Sequence, residues 1–353
     1  MKLNDNIYVA GHSGLLGSAI VRLLNEKGYK NIITKTSKDL DLRNSVHVEQ
    51  FFKSNKIDVV ILSAAKVGSI EENKKYPAEF LLDNLQIETN VISSAFKNNV
   101  KNLLFVSSSC IYPKNSPQPL KEEYLFNGPL EDENEAYGLA KIAGLKLCEY
   151  YSKEYGVNYI TVNPTNLYGV GDIFDPAHSH VIPANIMKIY NAKLEKKESI
   201  KAWGSGKAYR EFLYVDDAAD AIIFLLINYK GKDIINLGTG NSIQIKELLN
   251  LIKEIVDYPG EIIFDTNKAE GVLRRELDIS KLKDLGWKPK IDLKEGLKRT
   301  YDYYLKQIGK WNKIIFYIKY FPYGKVKWLN IIFNIFSFRI LYLLKNIYSS
   351  TSK

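Results

Sequence analysis

Tyr137 and Lys141 stand four residues apart in "NEAYGLAK", a spacing that places both on one face of a helix. A tyrosine has a reference pKa of roughly 10, so acid or base work near neutrality needs it lowered by about 3 pH units. At about 1.36 kcal/mol per unit, that is roughly 4 kcal/mol of differential stabilisation. A lysine ammonium one turn away stabilises the phenolate by opposite charge. A serine hydroxyl nearby can orient a carbonyl toward such a phenol. Ser108 or Ser109 of "FVSSSCIYPK" follows the apolar run "NLLFV", where a strand should end. Cys110 stands in the same cluster. It reads either as a chemical group or as one more small buried hydrophobe. The second cysteine, Cys148, falls on the helix after Lys141 and reads as packing.

The segment "VAGHSGLLG" places Gly11, Gly14 and Gly17 between an apolar run and a helix-period run. The first glycine permits a tight turn, the second lets backbone approach a pyrophosphate, and the third allows close helix packing; the helix N-terminus supplies N–H groups to the phosphates. The intervening His12, Ser13, Leu15 and Leu16 belong to the same cofactor loop. NAD-binding chains usually carry an acid about 20 residues on, for the ribose 2′-hydroxyl. Here "NIITKTSKDLDL" offers Lys35 and Lys38 first and Asp41 later. This cationic, hydroxyl-rich stretch favours the 2′-phosphate of NADPH, unless both lysines are simply solvated. Asp41 and Leu42 are assigned to the adenine side.

Such groups must be held by a scaffold. Strand-length apolar runs ("NIYVA", "NIITK", "DVVILSAA", "NLLFVSS", "YITVNP") alternate with helix-period segments, including "SVHVEQFFKSNK", "NLQIETNVISSAFKNN" and a helix from Asn134 to about Tyr155. This predicts an α/β protein with a doubly wound, Rossmann-like parallel sheet, whose ligands sit beyond the strands' carboxyl ends. After Pro164 the pattern loosens. "DIINLGTG" and "SIQIKELLNLIKEIV" read as a strand and a helix returning to the sheet. The predicted organisation is a dinucleotide domain over 1–165 with a return near 215–240, a smaller, partly interleaved substrate domain over 166–310, and a tail over 311–353.

The formal charge is +9, but residues 310–353 hold eight Lys or Arg and no Asp or Glu; taking eight from nine leaves about +1 for the rest. The charge is therefore no nucleic-acid footprint, and no reader motif accompanies it. Two cysteines in 353 residues give no disulfide framework, which suits a reducing, cytoplasmic compartment. The start of the chain has no signal-peptide pattern, and no metal site is expected. The longest charge-free run of the tail, Trp328 to Phe338, is eleven residues, short of the ~20 of a spanning helix. Its basic and aromatic composition suits either peripheral contact with an anionic membrane surface or packing at the body or an oligomer interface.

The segments "AGHSGLLGSAI", "AAKVGS", "SSSCIYP", "NEAYGLAKIAGLKLCE", "NPTNLYG", "SHVIPA" and "WGSGKAYREFLYVDD" together resemble the extended short-chain dehydrogenase/reductases that act on nucleotide sugars. Within them, the chain is similar to the GDP-L-fucose synthase family from about Ile7 to Leu305. The resemblance implies NADP(H) as cofactor and NADPH-dependent epimerisation and carbon-4 reduction of a GDP-4-keto-6-deoxy sugar by a homodimer, formed through helices near 84–98 and 135–155. It implies Ser108 as the serine assisting Tyr137, Cys110 as a catalytic cysteine and His180 as its partner, the two exchanging protons on opposite faces of the sugar. It adds Ala64, Ala65, Ser107, Lys141, Pro164, Asn166, Leu167 and His180 to the cofactor contacts. Lys188, Trp203, Arg210 and Arg275 become substrate contacts.

The chain also departs from the family pattern. Ser13 and Ser37 replace the usual arginines, Lys188 replaces an arginine, "GVLRR" replaces a Thr-Pro before the basic pair, and Asp175 and His178 lie on the approach to His180. Such changes suit a different sugar, for instance a GDP-6-deoxy-4-keto-heptose that is reduced at carbon 4 without epimerisation.

Overall fold

The first strand, β1 (Ile7–Ala10), is buried along its whole length because helices cover both faces of its sheet. Ile7 and Val9 point into one core, Tyr8 and Ala10 into the other; this is why such strands read as unbroken apolar runs. The computed structural model describes residues 1–175, 179–266 and 272–320, with side chains to residue 309. From β1 the chain enters α1 (Leu15–Glu26), then β2 (Ile32–Ile33), α2 (Ser45–Ser54), β3 (Val59–Leu62), α3 (Ile70–Lys75), α4 (Pro77–Lys97) and β4 (Asn102–Val106). A long loop with a short 3-10 turn at Ser109–Ile111 leads to α5 (Glu135–Tyr155) and β5 (Asn158–Pro164).

There follow β6 (Asn166–Tyr168), α6 (Val181–Leu194), β7 (Ser199–Trp203), β8 (Tyr209–Tyr214), α7 (Val215–Asn228) and β9 (Ile235–Leu237). The described chain ends with β10 (Ser242–Gln244), α8 (Ile245–Val256), β11 (Glu261–Asp265), β12 (Arg274–Arg275), α9 (Ser280–Asp284) and α10 (Leu293–Tyr320). Met1–Tyr304 forms one compact unit and Leu305–Lys353 a second. Of the tail, 311–320 continue α10, while residues 321–353 lie outside the described residues, as does His178.

The six-stranded sheet runs β2-β1-β3-β4-β5-β9, with every neighbouring pair parallel. It is the doubly wound, Rossmann-like sheet expected from the alternation. α1 and α7 pack together on one face, and α2, α4 and α5 cover the other. The strand order reverses between β1 and β3, so the crevice above their carboxyl ends is the place for a ligand.

Beyond β5 two smaller sheets form. β8 is flanked by β10, β12 and β6, and β11 pairs with β7. β9 joins the large sheet beside β5, as expected. The helix predicted after it behaves differently. Its first residues form β10, antiparallel to β8, and α8 packs on α6 rather than on the large sheet. The alternation of Ser242, Ile243 and Gln244 suits a strand, and the Gln244–Glu247 capping box delays the helix to Ile245. β2 is also shorter than its apolar run, because Thr36 turns the chain to bond with Asp39.

The loop after β4 is pinned from inside. The Tyr112 hydroxyl donates to Asn236 Oδ1 at 2.6 Å and accepts from Asn163 Nδ2 at 3.2 Å; Asn236 Nδ2 in turn donates to the carbonyls of Leu120 and Asp278. All three side chains are buried. Tyr112→Phe leaves two buried amides short of a partner, a cost of about 1–3 kcal/mol. Urea unfolding is expected to show that loss, with unfolding still cooperative.

Candidate active site

Gly11 follows β1 with φ of +87°, and a Cβ there would lie 2.6 Å from the Ala64 nitrogen, just after β3. Glycine is required by both conformation and space. Gly17 lies against the Gly11 carbonyl, which a Cβ would strike. Gly14, the N-cap of α1, faces open space: a Cβ there would meet only the Gly11 oxygen, at 3.5 Å. No side chain caps this helix and no acid stands in its first turn. Its N-terminal N–H groups and positive dipole end are therefore free for an anion. Nearby, His12 Nδ1 and, at the end of β4, Ser107 Oγ are buried without a hydrogen-bond partner. An uncapped helix end, an open glycine and polar atoms lacking partners fit a dinucleotide. Gly17→Ala is expected to cost about 1–3 kcal/mol by overpacking and to weaken dinucleotide binding, as urea unfolding and NADPH fluorescence titration would measure.

Past β2, Lys35 and Lys38 are exposed and form no salt bridge among the described residues. Asp39 lies near Lys35 and His12, and its hydrogen bonds to Thr36 hold its carboxyl below the usual range. Asp41 is gripped by the Arg43 guanidinium at 3.0 and 2.8 Å, with Arg43 reaching on to Asp83 at 3.4 Å. The Leu42 carbonyl accepts from Asn90. Ala64 and Ala65 follow β3, Pro164 ends β5, and Asn166 and Leu167 open β6. Ala64 and Ala65 thus lie just past the carboxyl end of β3, and Asn166 and Leu167 just past that of β5.

At the end of β4 the chain turns abruptly. Ser108 caps the 3-10 turn, its Oγ accepting from the Cys110 N–H at 3.3 Å. α5 approaches from the other side, with the Cys110 carbonyl 3.0 Å from where a Gly138 Cβ would be. Tyr137 and Lys141 lie on this face of α5, the Lys141 ammonium 5.6 Å from the centre of the Tyr137 ring and 4.8 Å from that of Phe105. Ser108, Cys110, Tyr137 and Lys141 thus meet.

Their electrostatics differ from the simple expectation. Burial, and then neighbouring Cys110 and Glu88, push the Tyr137 phenol well above its ordinary pKa, while the Ser108 hydroxyl pulls the other way. The phenol, not the phenolate, is the resting form at neutral pH. Lys141 does not act on it alone, because Nζ lies 3.0 Å from Glu88 Oε1, in a pair whose side chains are 2% and 0% exposed. Cys110 keeps part of its surface, whereas Cys148 is buried and burial pushes its thiol up.

His180 is the N-cap of α6. Surrounding protein draws its imidazole below the usual pKa although the residue remains exposed. No hydrogen bond or ion pair joins it to Cys110 among the described residues. Lys188, on α6, donates to the Lys201 carbonyl of β7, and Trp203, 66% exposed, ends that strand. Arg210 and Arg275 face each other in register across β8 and β12; partial burial, and then the charge of Arg275, draw the half-buried Arg210 guanidinium downward. Arg210 donates to the carbonyls of Tyr209 and Val272. Arg275 donates to the Ser109 carbonyl at 2.9 Å and pairs with Glu131 at 3.0 Å. Its side chain thereby also braces the turn that carries Cys110.

Sequence reasoning missed Glu88, Glu131 and Glu211. Glu211 is buried and accepts from the backbone N–H groups of Thr239, Gly240 and Leu277, fixing the strand that carries Arg210. Glu88 carried a signal: it falls in phase with Asn84, Val91, Ile92 and Ala95, the buried positions of α4.

The model of the NAD dependent epimerase/dehydratase family matches residues 7–238, about two thirds of the chain, including the glycine turn and the Tyr137–Lys141 helix. The chain belongs to this family. Within the family it is similar to GDP-L-fucose synthase 1 of Arabidopsis thaliana, 50% identical over 302 residues that cover 86% of this chain and 94% of the relative. It is 45% identical to GDP-L-fucose synthase of Escherichia coli strain K12 over 311 residues, 86% of this chain and 97% of the relative. Among solved structures it is similar to a GDP-mannoheptose C4 reductase from Campylobacter jejuni with NADP bound: 40% identity, TM-score 0.80, covering 86% of this chain and 99% of that one. For this epimerase/dehydratase family member, the strand-end crevice and the serine–tyrosine–lysine group therefore lie within regions shared with named enzymes.

Proposed function

We propose that this chain catalyses NADPH-dependent epimerisation and carbon-4 reduction of a GDP-4-keto-6-deoxy sugar, as in GDP-L-fucose synthesis. The observation that carries the reading is the placement of Cys110 beside Ser108, Tyr137 and Lys141 at the end of β4, in a chain 45–50% identical to named GDP-L-fucose synthases. NADP(H) is the cofactor; when bound, it supplies hydride to carbon 4. The α1 N-terminus would hold its pyrophosphate, and the unpartnered His12 Nδ1 and Ser107 Oγ would offer it further hydrogen bonds.

The 4-keto group acidifies the protons on carbons 3 and 5. Inverting those centres needs a base and an acid on opposite faces of the ring, and such groups are worth about 10²–10⁴-fold each. Cys110, in the turn after β4, and His180, at the start of α6, take these roles. Ser108 then holds the ketone, and Tyr137, resting as a phenol, protonates its oxygen. Residues 166–310 bind the nucleotide sugar, with Arg210 and Arg275 offered to the diphosphate and Trp203 and Lys188 at the margin. Residues 1–165, with the return near 215–240, bind the dinucleotide.

Turnover in deuterated water with GDP-4-keto-6-deoxymannose tests the reading, and product NMR reads it. Deuterium at carbons 3 and 5 supports it. Reduction without deuterium supports the second reading, a heptose-type carbon-4 reductase, which the likeness to the Campylobacter enzyme favours. In that case Cys110 and His180 would only bind.

The enzyme is proposed to be a cytoplasmic homodimer joined through α4 and α5. Exposed Leu82, Leu139 and Tyr150 on those helices support this, and light scattering would test it. No described helix is long and apolar enough to cross a membrane. The composition of 311–353 supports peripheral contact with anionic membranes, and liposome flotation with and without the tail decides it: equal recovery removes the idea.

A further inference from the structure

Glu88 is a carboxylate on the core-facing side of α4, fully buried, and its ion-pair partner is Lys141. Space has been made for it. A Cβ on Gly144, one turn along α5 from Lys141, would lie 2.5 Å from Glu88 Oε2 and 2.8 Å from Phe105. The ammonium has two anchors on different elements: Glu88 of α4 at 3.0 Å and the Val106 carbonyl of β4 at 3.2 Å. Burying a carboxylate in an apolar layer is costly unless it is paired. A helix that needed only packing would carry an apolar residue here.

We propose that Glu88 is a positioning residue for Lys141, holding its ammonium in place and supplying the negative charge that offsets it beside Tyr137. The inference rests on the reductive reading above. An unpaired lysine beside the tyrosine favours the phenolate, the base that alcohol oxidation requires. A lysine matched by a carboxylate leaves the phenol protonated, the form that must donate when a ketone is reduced. The titratable groups facing this pair are Tyr137 and Cys148 of α5 and, through Tyr137, Cys110; after the larger effect of burial, Glu88 raises both Tyr137 and Cys148, while burial raises the Glu88 carboxyl itself and the Lys141 ammonium pulls it back down. The cation beside Glu88 and the Tyr137 ring is Lys141.

Glu88→Gln keeps the shape and a carbonyl for the ammonium but removes the charge. The phenolate is then better stabilised, so the phenol loses its proton at lower pH. The expected result is a kcat that falls by up to about tenfold at pH values on the alkaline limb of the wild-type profile and hardly at all at pH 6, with KM for sugar and cofactor within about twofold. The alkaline limb of the pH–rate profile moves down by about one pH unit or more. A second readout needs no sugar: in protein with 13C-labelled tyrosine Cζ and NADP+ bound, the Tyr137 resonance, assigned by its loss in Tyr137→Phe, titrates at lower pH in Glu88→Gln than in the wild type. An unmoved limb and an unmoved resonance overturn the proposal and reduce Glu88 to a structural pair. If Glu88→Gln does not fold, Glu88→Asp carries the test, with the same direction and a smaller displacement; no displacement overturns it. Failure of the wild type to reduce any GDP-keto sugar removes the reductive reading, while the resonance still decides what Glu88 does to Tyr137.

Discussion

Tyr137→Phe is expected to lower kcat for NADPH oxidation by about 10²–10⁴-fold while NADPH affinity and thermal stability stay near those of the wild type. The substitution removes one oxygen and leaves the ring under the Lys141 ammonium. The pyrophosphate end of the site, built from Gly11, Gly14 and α1, is untouched. A proton that the phenol would have delivered to the carbon-4 oxygen must then come from water, and the ketone loses its hydrogen bond on that side. Steady-state kinetics with a fluorescence titration of NADPH separates the two effects. A loss below about tenfold would mean that the proton comes from another group.

Cys110→Ser should have the next largest effect, on a different reaction. Deuterium incorporation at carbons 3 and 5 is expected to fall by about 10² or more, while reduction at carbon 4 continues on the unepimerised ketone. A serine hydroxyl is far less acidic than a thiol and holds no useful anionic fraction near neutrality. The backbone should tolerate the change, since the turn is held by the Cys110 N–H to Ser108 Oγ bond and by Arg275 on the Ser109 carbonyl. Product NMR reads both outcomes from one sample. Label retained at both carbons would place the base elsewhere and leave Cys110 as a packing residue.

The parts of this site that could be read in the sequence are those whose meaning is local. Gly11, Gly14 and Gly17 form a turn whose spacing alone implies a strand, a bend and a helix. Tyr137 and Lys141 share a helix face by their four-residue spacing. Glu88 lies 53 residues before Lys141, and only the packing of α4 on α5 brings them together. Likewise Arg275 is 166 residues from the Ser109 carbonyl it holds. Nothing near "GVLRR" announces that contact, and a basic pair there suggests a phosphate first. The segment from Ser242 reads as the start of a helix, since Ile243 fits either period, but pairing with β8 makes its first three residues a strand. Helix periodicity records which side of a segment is buried, not which segment buries it.

The unequal surroundings of the two thiols have a practical consequence. Cys148 is sealed in the core, while Cys110 keeps part of its surface. An alkylating dye added to the folded protein should therefore attach once per chain, at the turn that bears Ser108, and twice only after unfolding. The labelled fraction would count competent active sites in any preparation, and a bound sugar nucleotide that shields the turn would slow the labelling. Substrate affinity could then be measured without a turnover assay.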